Sequence, residues 1–312
     1  MELKNIIDKI INDNKLSISY SIKYNNEIIN YNSNKIYPIH SISKLFTNIL
    51  LVLLYNDAII NDIELKMPLQ LDNHILKKLS KNIKNRLKNV SLLQCIKHQA
   101  GLKDYLNKYH KELQKCYDKN INYPNPFEPE DFLIYLDDDI LNDDEINEYN
   151  YNNASILLAS LSLKYHYNKK NNTHLSYNEI LHKYIINKIK LKSFSISKPK
   201  HNSMYPTDTN DLTKYVNGSP SSSYWLSCYD LSKFGVWIND LFNTNDKIKK
   251  CIKKNKLDIY WKNPLRLAHC GYLQTSSACL ETHLNKNITI AVSSNHDAQS
   301  QFFIKKIRKL FL

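Results

Sequence analysis

The sequence predicts an α+β fold: a mixed α/β chain whose single antiparallel sheet is assembled from both termini, flanked by N- and C-terminal helices, with a mostly helical lobe inserted between them. Three observations predict it. An apolar-striped helix and a β-hairpin open the chain, helical patterns fill its middle, and strand patterns with a last helix close it.

Leu3, Ile6, Ile7, Ile10 and Ile11 recur at the spacing of one helix face. LSISYSIKY, from Leu16 to Tyr24, alternates as a half-buried strand does; Asn25-Asn26 reads as a turn and Glu27 to Tyr31 as the returning strand. Tyr37 to Leu54 reads YPIHSISKLFTNILLVLL. Pro38 ends the extended segment, and the apolar run behind it is a buried helix starting near Ser41. From residue 55 to 250 helical patterns alternate with polar, Asn-rich loops and show no internal repeat. Within them Tyr123 to Glu130 is a proline-rich connection, Glu130 onward reads as a helix, and the acidic stretch Asp137 to Glu148 as a solvated loop or helix end. Strand patterns return at Leu257–Trp261, Leu265–Cys270, Ser276–Thr282 and Asn287–Ser293, and Gln299–Leu312 closes as an amphipathic helix packed on the sheet. The expected organisation is one domain over residues 1–312, with an α/β lobe from 1–54 and 251–312 and a helical lobe from 55–250.

Composition narrows the function classes. At 312 residues, with 42% hydrophobic and 23% charged, the chain suits a globular protein with a sizeable core. The net charge of +13 comes almost wholly from lysine, the arginines being Arg86, Arg266 and Arg308. Readers of nucleic acid favour arginine for bidentate contacts, and these lysines are scattered, so nucleic acid is not an expected partner. The six cysteines form no CxxC pair and no zinc-ligand spacing, which predicts free thiols in a reducing compartment and no metal site. The first fifteen residues lack a continuous apolar segment of the secretory kind, and Leu45–Leu54 is about half as long as a bilayer span. A soluble, cytoplasmic protein without a membrane partner is expected.

The chemistry centres on Ser41 and Lys44. Three residues apart in the first turn of a helix, they share a face, so the amine reaches the hydroxyl as the base of an activated nucleophile would. The spelling alone is weak, because Ser-Ile-Ser-Lys recurs at Ser195 to Lys198. That second copy is followed by Pro199, which biases Lys198 out of helical geometry, and has no apolar helix behind it.

Three later stretches strengthen the first copy: VSLLQCIKHQAGLKDY from Val90 to Tyr105, YNNASILL from Tyr151 to Leu158, and AHCGYLQTSSACLE from Ala268 to Glu281. In this order the chain resembles the serine β-lactamase and penicillin-binding-protein superfamily, in particular its class C and esterase-like branch. Tyr151-Asn152-Asn153 is similar to the Tyr-x-Asn element of that family, His269-Cys270-Gly271 to its Lys/His-x-Gly strand, and His98 to Tyr105 to its His-x-x-Gly-Leu-x-Asp-Tyr segment. Ser227 to Trp237 is similar to its late Asp-Leu-x-x-Phe helix.

The resemblance implies a β-lactamase-like fold and a covalent acyl-serine mechanism without metal or cofactor. It implies Ser41 as nucleophile, Lys44 as its base, and Tyr151 as the group passing a proton to the leaving group. The oxyanion hole would be the backbone N–H groups of Ser41 and Tyr272. Asn153, His269, Cys270 and Gly271 are the substrate-binding residues it implies, Asn153 holding Lys44 or a substrate amide and Gly271 permitting close approach. His98 reads as structural, holding the loop that ends at Gly101. Histidine and Cys270 in place of Lys-Thr weaken the grip on a carboxylate, which favours an esterase, amidase or peptidase over an antibiotic hydrolase. The segment Gly218-Ser219-Pro220-Ser221-Ser222-Ser223-Tyr224 departs from the glycine-rich turn of the family. The expected function is a serine hydrolase acting on an ester or amide of a small-molecule or peptide-like acyl substrate. The alternatives are an acyltransferase of the same fold and a non-catalytic binding protein that keeps the pocket.

Overall fold

The computed structural model describes residues 2–119, 128–204, 217–257, 261–263, 266–273, 276–284, 286–296 and 298–311. Helix α1 (Glu2–Asp13) leads into β1 (Ile18–Tyr24) and β2 (Glu27–Tyr31), and β3 (Ile36–Pro38) runs through the single turn His40–Ile42 into α2 (Ser43–Asn56). The middle holds α3 (Asp62–Lys66), α4 (Asn73–Lys78), α5 (Lys81–Leu87), α6 (Leu92–Ile96), β4 (Ala100–Leu102), α7 (Leu106–Asp118), β5 (Leu141–Ile146), α8 (Asn153–Asn171) and α9 (Tyr177–Leu181). Then come β6 (Trp225–Ser227), α10 (Cys228–Thr244), α11 (Asp246–Asn255), β7 (Trp261–Asn263), β8 (Arg266–Leu273), β9 (Ser276–His283), β10 (Ile288–Ser294) and α12 (Gln299–Ile307).

The main sheet has the order β2-β1-β10-β9-β8-β7 with antiparallel pairing throughout, so it joins both ends of the chain. Period-two alternation divides its faces. Ile18, Tyr20 and Ile22 of β1 and Ile288, Ile290 and Val292 of β10 form one core with Ile7 and Ile11 of α1 and Phe303, Ile304 and Ile307 of α12. The intervening residues face α10 on the other side. Gly235 brings that helix in closely: a Cβ there would lie 2.6 Å from Thr289 Cγ2 and 2.9 Å from Leu280 Cδ1.

Helix α2 is the axis of the larger core. Every residue from Ser43 to Leu54 is buried, as expected of a helix apolar on nearly all sides. Around it pack Leu157, Leu158 and Leu161 of α8, Ile248 and Ile252 of α11, and Leu231, Phe234 and Ile238 of α10.

The α+β architecture predicted from the sequence is the observed one, with several local corrections. Pro129–Tyr135 is a 3-10 segment, not an α-helix. The acidic stretch includes a strand, β5, paired with β4; backbone pairing to Ala100 and Leu102 overrides the weak strand propensity of LNDDEI. Within the segment read as helical, β6 pairs with β3, and α10 lies on the sheet. Tyr123–Phe127 of the proline-rich connection and residues 258–260 and 265 of two predicted strands lie outside the described residues.

The cysteines correct the expectation of free thiols. Cys270 on β8 and Cys279 on β9 are direct cross-strand partners, joined as a disulfide with Cα atoms 4.1 Å apart. Register, invisible as a Cys spacing, sets them opposite each other, and the thiol argument for a reducing compartment falls with it. Cys95, Cys228 and Cys251 are buried free thiols. Among the described residues no helix is long and apolar enough to cross a membrane, and no group of His, Cys, Asp and Glu could hold a metal ion.

A buried ion cluster ties the end of the chain to the sheet. Glu281 of β9 is 1% exposed and accepts hydrogen bonds from Arg308 Nε at 2.8 Å, Arg308 Nη2 at 2.5 Å and His283 Nε2 at 2.7 Å. Burial works to raise its carboxyl, but the hydrogen bonds from His283 and Arg308, with the charge of Arg308, hold it below the usual carboxylate range. A carboxyl depressed in the fold adds stability above its unfolded value of about 4.3 and loses it as pH falls through the folded one. Arg308→Met therefore lowers unfolding free energy by about 3 kcal/mol at pH 7, read by urea unfolding, and the difference from wild type shrinks below about pH 4.

Candidate active site

Ser41 sits in the turn His40–Ile42, and Lys44 in the first turn of α2. The predicted single helix is thus a 3-10 turn running into an α-helix, and the three-residue spacing keeps both side chains on one face. Lys44 is fully buried and donates three hydrogen bonds: to Ser41 Oγ at 3.1 Å, Asn153 Oδ1 at 2.6 Å and the Ser221 carbonyl at 2.6 Å. These use all three donors of an ammonium and aim the amine at the hydroxyl. Burial lowers Lys44 from the usual lysine value to about 7, while the carboxylate of Asp104 acts in the opposite direction. The amine therefore exchanges its proton near neutral pH.

Tyr151 and Asn153 arrive from the start of α8. Asn152 between them caps the helix, its Oδ1 accepting from Ser155 N at 2.7 Å. The capped end presents its neighbours to Lys44, whose Nζ lies 4.8 Å from the centre of the Tyr151 ring. Tyr151 is 38% exposed. Burial of its phenol raises its pKa above the ordinary tyrosine value, with a hydrogen bond to Ser41 acting against that rise. At neutral pH it is a neutral O–H donor.

His98 packs on Tyr151 with ring centres 4.7 Å apart, and its Nδ1 accepts from Asn152 N at 3.3 Å. Burial, with a smaller contribution from the Lys44 charge, lowers it to about 3, so it is a neutral strut under the tyrosine. His269 of β8 has its ring centre 6.3 Å from that of Tyr151.

Strand β8 closes the site. A Cβ on Gly271 would stand 2.5 Å from Ser41 N, 2.7 Å from His40 Cβ and 2.9 Å from Ile39 O, so the strand backbone rests directly on the nucleophile turn. The 4.1 Å Cα separation marks Cys270–Cys279 as a pair that exchanges no ladder hydrogen bonds, and Tyr272–Ser277, two residues on, is of the same kind. The N–H of Tyr272 therefore points away from β9, while its side chain is 65% exposed.

The structure thus gathers Ser41, Lys44, Tyr151, Asn153, His269 and Gly271 around one point. Cys270 is the exception: it packs toward the core beneath α1 and α12, on the opposite face, and is disulfide-bonded. Alternation along β8 explains this, since His269 and Gly271 face the site and the residue between them cannot. The second Ser-Ile-Ser-Lys copy makes no helix: Ser195 bridges Trp225.

Three participants were not assigned from the sequence. Ser221 contributes a backbone carbonyl, which no side-chain spelling reveals. Its loop is fastened by Tyr105 Oη to Ser221 Oγ at 3.2 Å, by Thr47 Oγ1 donating to the Pro220 carbonyl at 3.0 Å, and by Tyr224 N donating to Ser43 Oγ at 3.0 Å. His40, at φ 46°, is buried between the Ser223 and Ser276 hydroxyls, 3.3 Å from Nδ1 and 2.7 Å from Nε2. Burial, followed by the charges of His110 and Lys44, lowers it to about 3, and it links the serine loop to β9 as a neutral ring. Asp104 accepts from Asn153 Nδ2 at 2.5 Å. It falls inside the His98 to Tyr105 segment, where the motif supplied a letter but no partner.

No protein-family model and no curated protein matches the chain. Solved structures do. A penicillin-binding protein from Bacillus halodurans is similar at a TM-score of 0.72 and 15% identity, over 98% of this chain and 100% of that one. A D-stereospecific amidohydrolase from Streptomyces sp. is similar at 0.69 and 13%, over 97% of each chain. A class C β-lactamase is similar at 0.65 and 13%, over 99% of this chain and 96% of the other. Across nearly its whole length, the chain has the fold of these structures: a penicillin-binding protein, a class C β-lactamase and a D-stereospecific amidohydrolase.

Proposed function

We propose that the protein is a serine hydrolase that cleaves an ester or amide through an acyl-Ser41 intermediate. The observation that carries this reading is the Lys44 amine, buried, near neutrality in proton affinity, and 3.1 Å from Ser41 Oγ. In the proposed reaction neutral Lys44 takes the Ser41 proton as Oγ bonds to the substrate carbonyl carbon. The oxyanion is held by the N–H groups of Ser41 and Tyr272. The bond to the leaving alkoxide or amine then breaks, that group takes a proton from Tyr151, and Lys44 returns one to Tyr151. Water repeats the sequence on the acyl-enzyme and restores Ser41. The geometry supports these roles because the phenol and amine both face the serine hydroxyl. The structural neighbours, which are a penicillin-binding protein, an amidohydrolase and a β-lactamase by name, support the hydrolase class.

A fluorophosphonate probe read by intact mass tests the reading. One adduct forms on the wild-type protein, at Ser41 by peptide mapping, and none on Ser41→Ala. A folded wild-type protein without any adduct, and without turnover of a p-nitrophenyl ester, overturns it.

A further inference from the structure

Asp104 stands at the turn between β4 and α7. Its Oδ1 accepts from Leu106 N at 2.9 Å, fixing the start of α7, and its Oδ2 accepts from Asn153 Nδ2 at 2.5 Å. Asn153 then passes the contact on, since its Oδ1 accepts from Lys44 Nζ at 2.6 Å. Carboxylate, amide and amine form one line.

An asparagine amide can be turned either way, with opposite consequences. A carboxylate only accepts, so it selects the NH2 end of Asn153 and leaves the oxygen for Lys44. Turned over, the same amide would set its NH2 group against a charged amine. We infer that Asp104 is a positioning residue for the proposed base: through Asn153 it orients Lys44, and it is the counter-charge of the ammonium that forms when Lys44 takes the Ser41 proton. The inference rests on the acyl-serine reading and adds to it a charged group outside direct reach of Ser41.

The surroundings leave this pair electrically dominant. His40 and His98, which face Lys44, are both driven to about 3 by burial and are neutral at working pH. His110 of α7 faces Asp104 and is also lowered by burial, with the Asp104 charge acting in the opposite direction. The phenols of Tyr105 and Tyr151 are raised by burial and stay neutral, and the His269 ring centre is 6.3 Å from that of Tyr151. Asp104 is the charge that acts on Lys44 against its burial.

The test follows the rate of fluorophosphonate labelling from pH 5 to 9 in wild type, Asp104→Asn and Asp104→Ser, on the full chain. Both variants keep a side-chain oxygen able to cap Leu106 N but lack the charge. In wild type the labelling rate rises through a limb set by Lys44. Loss of the carboxylate moves that limb about one pH unit lower and reduces the high-pH plateau up to about tenfold, as a weaker base becomes available earlier but accepts the proton less well. A merely structural role would lower the plateau and leave the limb in place. An unmoved limb in a variant that melts like wild type overturns the inference, and if one variant does not fold the other decides. Failure of wild type itself to label at Ser41 overturns the acyl-serine reading instead, which keeps the two outcomes apart.

Discussion

Lys44→Met leaves Ser41 poorly reactive: acylation by an ester or fluorophosphonate at pH 8 falls by about 10²- to 10⁴-fold, the range that loss of a general base brings. Methionine fills much the same volume, so the loss reports the amine and not a cavity. The pH profile carries the sharper signature. Wild-type acylation rises as Lys44 loses its proton around pH 7, whereas the residual rate of the variant has no such limb. Stability shows the same group from the other side. The folded value of Lys44 lies below its unfolded one, so the unfolded chain binds more protons between about pH 7 and 10 and stability rises with pH across that window. Urea unfolding at several pH values shows this slope in wild type and its reduction in Lys44→Met. A variant that acylates at the wild-type rate refutes the role given to the amine.

Gly271→Ala is the second large effect. The added methyl would have to lie 2.5 Å from Ser41 N and 2.7 Å from His40 Cβ, well inside contact distance. Neither side yields easily. β8 is laddered to β9 and cross-linked through Cys270, while His40 is held by Ser223 and Ser276. Relief must come from pushing the strand and the nucleophile turn apart, which separates the N–H groups of Tyr272 and Ser41. Acylation falls by about 10²- to 10³-fold, as when one oxyanion donor is lost, and overpacking costs about 1–3 kcal/mol of stability. Labelling kinetics and thermal unfolding read the two effects, and a wild-type rate in Gly271→Ala would show that the two N–H groups do not act together.

Much of the fold was legible because it rests on local periodicity. The alternation of LSISYSIKY, the stripe of α1 and the uniform apolarity of α2 each have one good solution, and two terminal sheet segments around a helical middle leave few topologies. Where pairing is non-local and propensity weak, the reading failed. LNDDEI becomes a strand because β4 lies beside it, and the two short strands β3 and β6, far apart in the chain, pair with each other. The site divides in the same way. Ser41, Lys44, Tyr151, Asn153 and Gly271 are spelled in motifs, so their residue types and spacing announce them. Ser221 acts through its carbonyl, His40 through two hydroxyls far along the chain, and Asp104 through an intervening amide.

The sequence by itself determined the sheet-building termini, the buried helix and the one Ser-x-x-Lys copy that a helix can present, because these depend on residue type and short-range spacing. Only the tertiary structure decided the proton affinity of Lys44, since that depends on burial and on a carboxylate sixty residues away in the chain. It also decided that Cys270 is a cross-strand disulfide partner facing away from the site, because strand register, and not the distance between cysteines along the chain, chooses which side chains meet.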